Sequence, residues 1–96
     1  MIIKFSPQRR DDNLTLSKQG NILTINNVPY DFSPIPDGGT LPREAIDCEF
    51  VCGDVERING EIHISLILPH GPNPSHDMAF PEPITVIADG EVELPE

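Results

Sequence analysis

Residues 68–83, LPHGPNPSHDMAFPEP, bring together His70, His76 and Asp77. Two imidazoles and one carboxylate are a donor set found at zinc and iron centres. Such a centre needs ligands presented from rigid elements, with further groups fixing each imidazole ring. Here Pro69, Pro72, Pro74, Pro81 and Pro83 surround the three candidates. Proline gives no backbone donor and favours extended, solvated chain. The stretch therefore reads as a surface connector crossing between two sheets, with no metal, and with an exposed tip around Asn73 to His76 that a partner could touch.

Other groups invite the same scrutiny. Glu56 is expected directly across a hairpin from His63, which could orient the imidazole as a general base. The only nucleophile types on that face are Cys52 and Ser65, with no glycine-rich oxyanion turn, so a surface ion pair is the expectation. Asp11 and Asp12 follow Arg9 and Arg10 directly in QRRDDN, and neighbours of opposite sign neutralise one another in a solvated loop. Gly38 and Gly39 in PDGGT could cradle a phosphate at a helix start, but Asp37 and the surrounding acidity oppose it. Cys48 and Cys52 lie four residues apart, roughly 13 Å along a strand, whereas a disulfide needs α-carbons within about 7 Å. They read as free thiols. No catalytic residue, cofactor site or metal site emerges.

What positions these residues is a series of short strands. In EIHISLIL, residues 61–68, Ile62, Ile64, Leu66 and Leu68 alternate with Glu61, His63, Ser65 and Ile67, giving one buried face. Asn59-Gly60 before it marks a two-residue turn that pairs Val55 with Ile64, Val51 with Leu68 and Glu56 with His63. A second turn at Gln19-Gly20 sets Leu16 against Leu23, Leu14 against Ile25 and Thr15 against Thr24. A third at Asn26-Asn27 brings Val28 against Ile25 and Tyr30 against Leu23. Pro29 places residues 28–32 at a sheet edge. In ITVIADGEVEL a three-residue loop at Ala88-Asp89-Gly90 pairs Val86 with Val92 and Ile84 with Leu94. Thr40 could cap one helical turn through Ile46. With an opening strand from Ile2 to Phe5, the expectation is an all-β fold of about eight strands: a small antiparallel sandwich or partly open barrel with at most one short helical turn.

A chain of 96 residues forms one domain, 1–96, which buries about 60–65% of its unfolded surface. The net charge is −10 and is unevenly spread. Residues 1–18 hold four cations and two acids, a local +2; residues 19–96 hold Arg43 and Arg57 against fourteen acids, a local −12. Binding to nucleic acid relies on clustered Lys and Arg, so nucleic acid is not an expected partner. No apolar run exceeds three residues and MIIKF is shorter than a signal sequence, so neither membrane insertion nor export is expected.

MIIKFSPQRRDD, YDFSPIPDGGTLPREAI, GDVERINGEIHISLILPHGPN, FPEPITV and DGEVELP together resemble a group of small uncharacterised proteins encoded in the tail-gene region of tailed phages and prophages. The likeness covers nearly the whole chain. It implies a phage context and a tail-related accessory or assembly role; the absence of a catalytic constellation, the edge strand and the proline-rich loops set the expectation of a non-enzymatic protein acting through contacts with a protein partner, a tail component. With neither a membrane span nor an export signal expected, the location expected is the cytoplasm of the bacterial host, with association with the virion as a further step. The edge at Val28, Tyr30 and Phe32 with the adjoining Ile35 is the expected contact surface: Tyr30 and Phe32 turned inward, Ile35 exposed as the anchor. The alternative is an acidic regulator that mimics nucleic acid and blocks a nucleic-acid-binding protein, resting on Asp47, Glu49, Asp54, Glu56, Glu61, Asp89, Glu91 and Glu93.

Overall fold

A computed structural model describes residues 1–95. Among the described residues nine strands form two sheets, one more than the eight or so expected. They are β1 (Ile2–Arg9), β2 (Leu16–Gln19), β3 (Ile22–Ile25), β4 (Val28–Asp31), β5 (Thr40–Leu41), β6 (Val55–Ile58), β7 (Glu61–His70), β8 (Ile84–Thr85) and β9 (Gly90–Val92). One sheet has the order β5-β6-β7-β1-β8 and the other β4-β3-β2-β9. Ile3, Ile62, Ile64 and Leu66 from the first sheet share one core cluster with Leu16, Leu23, Ile25 and Val92 from the second. The fold is a small all-β sandwich.

The turns explain the ladders. Asn59 and Gly60 both take positive φ, 51° and 81°, as do Asn26 and Asn27 at 49° and 70°; this is the backbone of a type I′ hairpin. Both expected registers follow, with Glu56 opposite His63 and Tyr30 opposite Leu23. The first hairpin differs. Its loop is Gly20-Asn21, because Gly20 takes the positive φ of 60° at the first central position, as a type II′ turn requires. The register therefore moves by two: Leu16 faces Ile25 and Ser17 faces Thr24. Lys18 consequently stands opposite Leu23 on the inner face and is only 8% exposed.

Three further expectations are corrected. Val51 bridges to Leu66 rather than Leu68, because residues 52–54 bulge opposite the single residue Ser65, where the Cys52 amide donates to the Ser65 carbonyl at 3.0 Å. The helical turn does not begin at Thr40. A residue before proline is held extended, so Thr40–Leu41 pairs with β6, and a 3-10 turn of Arg43–Ala45 follows Pro42. A second single turn, α1 (His76–Ala79), lies in the proline-rich connector with Ser75 as its N-cap.

The C-terminal hairpin opens. β8 pairs with β1 in one sheet and β9 with β2 in the other, so Ile84 and Leu94 are not ladder partners. The central pair is also not antiparallel. β1 and β7 run parallel over their full shared length, from Ile2 opposite His63 to Arg9 opposite His70. Parallel neighbours need a long crossover, and here the whole β2–β6 segment supplies it.

Three prolines sit inside strands, and hydrogen-bond parity places each nitrogen on an unpaired side. The Arg10 amide donates to the His70 carbonyl at 3.1 Å, and the Val86 amide to the Met1 carbonyl at 2.7 Å. Even-numbered residues of β1 thus face β7, and Pro7 faces away, past the end of β8. The Ile67 amide donates to the Phe50 carbonyl at 2.7 Å, so Pro69 also points away from β1, where no strand follows. The Phe32 amide donates to the Asn21 carbonyl at 3.0 Å, leaving Pro29 on the outer edge of β4. No ladder bond is lost at any of the three positions.

Candidate protein-contact surface

β4 is an edge strand, as Pro29 predicts. Because Val28, Tyr30 and Phe32 turn their backbone groups toward β3, the outer edge offers only those of Pro29 and Asp31. Pro29 contributes a carbonyl and no donor. Asp31 contributes one N–H and one carbonyl, and its carboxylate accepts from the Ser33 amide at 2.9 Å and the Ser33 hydroxyl at 2.6 Å. Those bonds hold the Asp31 carboxyl below its ordinary range, with the hydroxyl contributing most. The edge is partly protected by proline and charge.

The four side chains named from the sequence divide between surface and core. Val28 is 49% exposed, Tyr30 is half-buried and Phe32 is buried. Ile35 is only 7% exposed, which corrects its expected role as the exposed anchor. Arg57 explains why Ile35 turns in. It points to the inner face of β6, and its guanidinium donates to the carbonyls of Ile35 at 2.6 Å, Gly60 at 3.1 Å and Phe32 at 3.2 Å. The segment 32–39 is thereby clamped to the β6–β7 hairpin, with Asp37 accepting from the Gly60 amide at 3.0 Å. An arginine that closes a linker carries no periodic signal, so sequence reasoning missed it. Tyr30 is fixed from the other side: its hydroxyl donates to the Asp47 carbonyl at 2.9 Å. Burial first, then the neighbouring Cys48 thiol, pushes the Tyr30 phenol up to about 12. What remains for a partner on β4 is Val28, flanked by the Pro29 carbonyl and the Asp31 backbone.

The other chemical candidates are not brought together. His70 Nδ1 lies 2.8 Å from the Gly71 carbonyl, and His76 packs against the Phe80 ring with centroids 5.2 Å apart. Among the described residues no three His, Cys, Asp or Glu side chains are grouped to hold a metal ion. Glu56 and His63 are cross-strand neighbours, but the expected ion pair between them does not form: among the described residues the ion pairs are Met1 amine–Glu61, Arg10–Asp12, Arg10–Glu49 and Lys18–Asp89. The RRDD neutralisation is carried by Arg10, 2.7 Å from Asp12, with its guanidinium 5.0 Å above the Phe50 ring. Both glycine amides of PDGGT are already used, Gly38 donating to Arg57 at 2.7 Å and Gly39 to Pro36 at 2.8 Å, so that turn offers a phosphate nothing. Cys48 and Cys52 are free thiols; burial raises the Cys52 thiol above its ordinary range.

Among the described residues no helix is long and apolar enough to cross a membrane. No family model, curated protein or solved structure matches the chain.

Proposed function

We propose that the chain is a non-enzymatic structural or assembly accessory of a phage or prophage tail, working through protein–protein contacts in the bacterial cytoplasm and, on incorporation, in the virion. The resemblance of nearly the whole chain to tail-region proteins supports the context. The observation that carries the contact reading is the β4 edge, where Val28 stands exposed beside unpaired backbone groups. A partner strand could add there through two carbonyls and one N–H. Its own N–H groups would have to supply most of the bonds.

The test is co-purification with tail components from lysed host cells, together with deletion of the gene. Tails that assemble and infect normally without the protein would refute the proposal.

The nucleic-acid-mimic reading gains less support from the geometry. Glu56 and Glu61 belong to β6 and β7 of one sheet, with Asp54 just before β6, and Glu91 belongs to β9 of the other. Glu49, Glu61 and Asp89 are engaged in ion pairs within the fold, whereas a mimic needs free charges in phosphate-like rows.

A further inference from the structure

Where β8 and β9 part into different sheets, a groove of about 400 Å³ opens between the connector and the C-terminal segment. Its apolar surface comes from Phe80, Ile84 and Leu94. Ile84 and Leu94 are half-buried and pack against the core, so they form a fixed floor. Phe80 is 70% exposed, an unusual setting for a ring held in place by its own turn. It follows α1, its amide donates to the His76 carbonyl at 2.9 Å, and the His76 ring lies against it. Asp77, Glu82 and Glu93 line the same groove. None of the three takes part in an ion pair among the described residues.

We infer that this groove binds a basic, partly apolar segment of a partner protein, in which a Lys or Arg lies over the Phe80 face and an aliphatic neighbour covers Ile84 and Leu94. The ring's negative face attracts a cation, three carboxylates line the same groove, and the chain's net charge of −10 favours a basic partner. The same charge opposes a second copy of this chain as the occupant, and the acidic rim repels phosphate. The site is separate from the β4 edge and does not depend on the tail reading.

The test is a titration of the ¹⁵N-labelled protein with a capped nonapeptide alternating Lys or Arg with Ile or Leu. Two control peptides replace its apolar residues by serine or its basic residues by glutamate. Saturable shifts centred on Phe80, Ile84 and Leu94, lost with either control, are expected. Phe80→Ala and Glu82→Lys, both at exposed positions, each weaken binding roughly 3- to 10-fold, and added salt weakens it further. Glu56→Lys, on the outer face of the β6–β7 hairpin, changes it less than about 2-fold. Shifts spread over the whole acidic surface, equal loss from Glu56→Lys, or no saturable binding would each overturn the inference.

Discussion

Lys18 Nζ lies 2.9 Å from Asp89 Oδ1 and 3.3 Å from the Ile87 carbonyl, so a buried lysine on β2 ties down the loop between β8 and β9. The same carboxylate oxygen accepts from the Gly20 amide at 3.0 Å. These contacts explain why Ala88-Asp89-Gly90 does not close a hairpin: Asp89 is held against the β2–β3 turn, and the arms on either side are drawn into different sheets.

The pair predicts an asymmetry. Asp89→Ala leaves a mostly buried ammonium without its partner, whereas Lys18→Met removes the charge and fills the same space with apolar atoms. Leaving a buried charge without its counter-ion is worse than replacing that charge by a hydrophobe, although the exposed Asp89 side moderates the difference. Asp89→Ala should therefore lower the urea midpoint clearly more than Lys18→Met. Equal midpoints would mean that the lysine is solvated in solution.

A pH dependence follows from the same contacts. The Gly20 amide first, then Lys18, hold the Asp89 carboxyl below its ordinary value. A carboxyl depressed on folding stabilises the fold above its unfolded pKa, about 3.9, and that contribution fades as pH falls through the folded value. Stability should thus decline below about pH 4, less steeply in Asp89→Ala. Parallel acid-unfolding curves for the two proteins would refute the assignment.

Asn59 and Gly60 give a second stability test. Replacing both by alanine forces two β-carbons into left-handed backbone, at a cost of roughly 1–3 kcal/mol. The measurement is the unfolding free energy by denaturant. A change under about 0.5 kcal/mol would show that the turn relaxes to another type.

Arg57→Met keeps the aliphatic stem but removes three donors, taking the guanidinium bond from the Ile35 and Gly60 carbonyls and leaving the Phe32 carbonyl only the Ile35 amide. The expected loss is roughly 1–3 kcal/mol, with faster amide exchange concentrated in residues 32–39. Uniform exchange across the molecule would mean that Arg57 is not what clamps that segment.

How far the sequence could be read depended on the range of the interaction. Asn26-Asn27 and Asn59-Gly60 announce their turns, and alternation in residues 61–68 announces its buried face, because both signals are local. The Gly20-Asn21 loop is also local, but glycine fits either of two turn positions, and the choice moves the register by two. A shift of two leaves every side chain on its own face, so Lys18 shares the inner face with Leu16 in either register; what the sequence does not announce is the partner of that inward charge, Asp89, about seventy residues away. The parallel β1–β7 pair and the separation of β8 from β9 arise entirely from distant packing. So does the burial of Ile35, since nothing between Ser33 and Pro36 indicates that an arginine on β6 will close over it.

That burial decides how the contact surface should be tested. Ile35→Asp would place a charge in the core, so loss of incorporation into tails would report unfolding rather than a lost contact. Val28 serves instead, because it is exposed, lies on the edge strand and faces Ile25 across the ladder. Val28→Lys should change the unfolding free energy by less than about 0.5 kcal/mol, since the new side chain reaches solvent. It should nonetheless reduce recovery with tail components, because lysine on an open edge disfavours addition of another strand. Ile35→Asp should cost more than about 3 kcal/mol and deplete the soluble protein. Normal recovery of a folded Val28→Lys protein with tails would exclude the β4 edge as the contact.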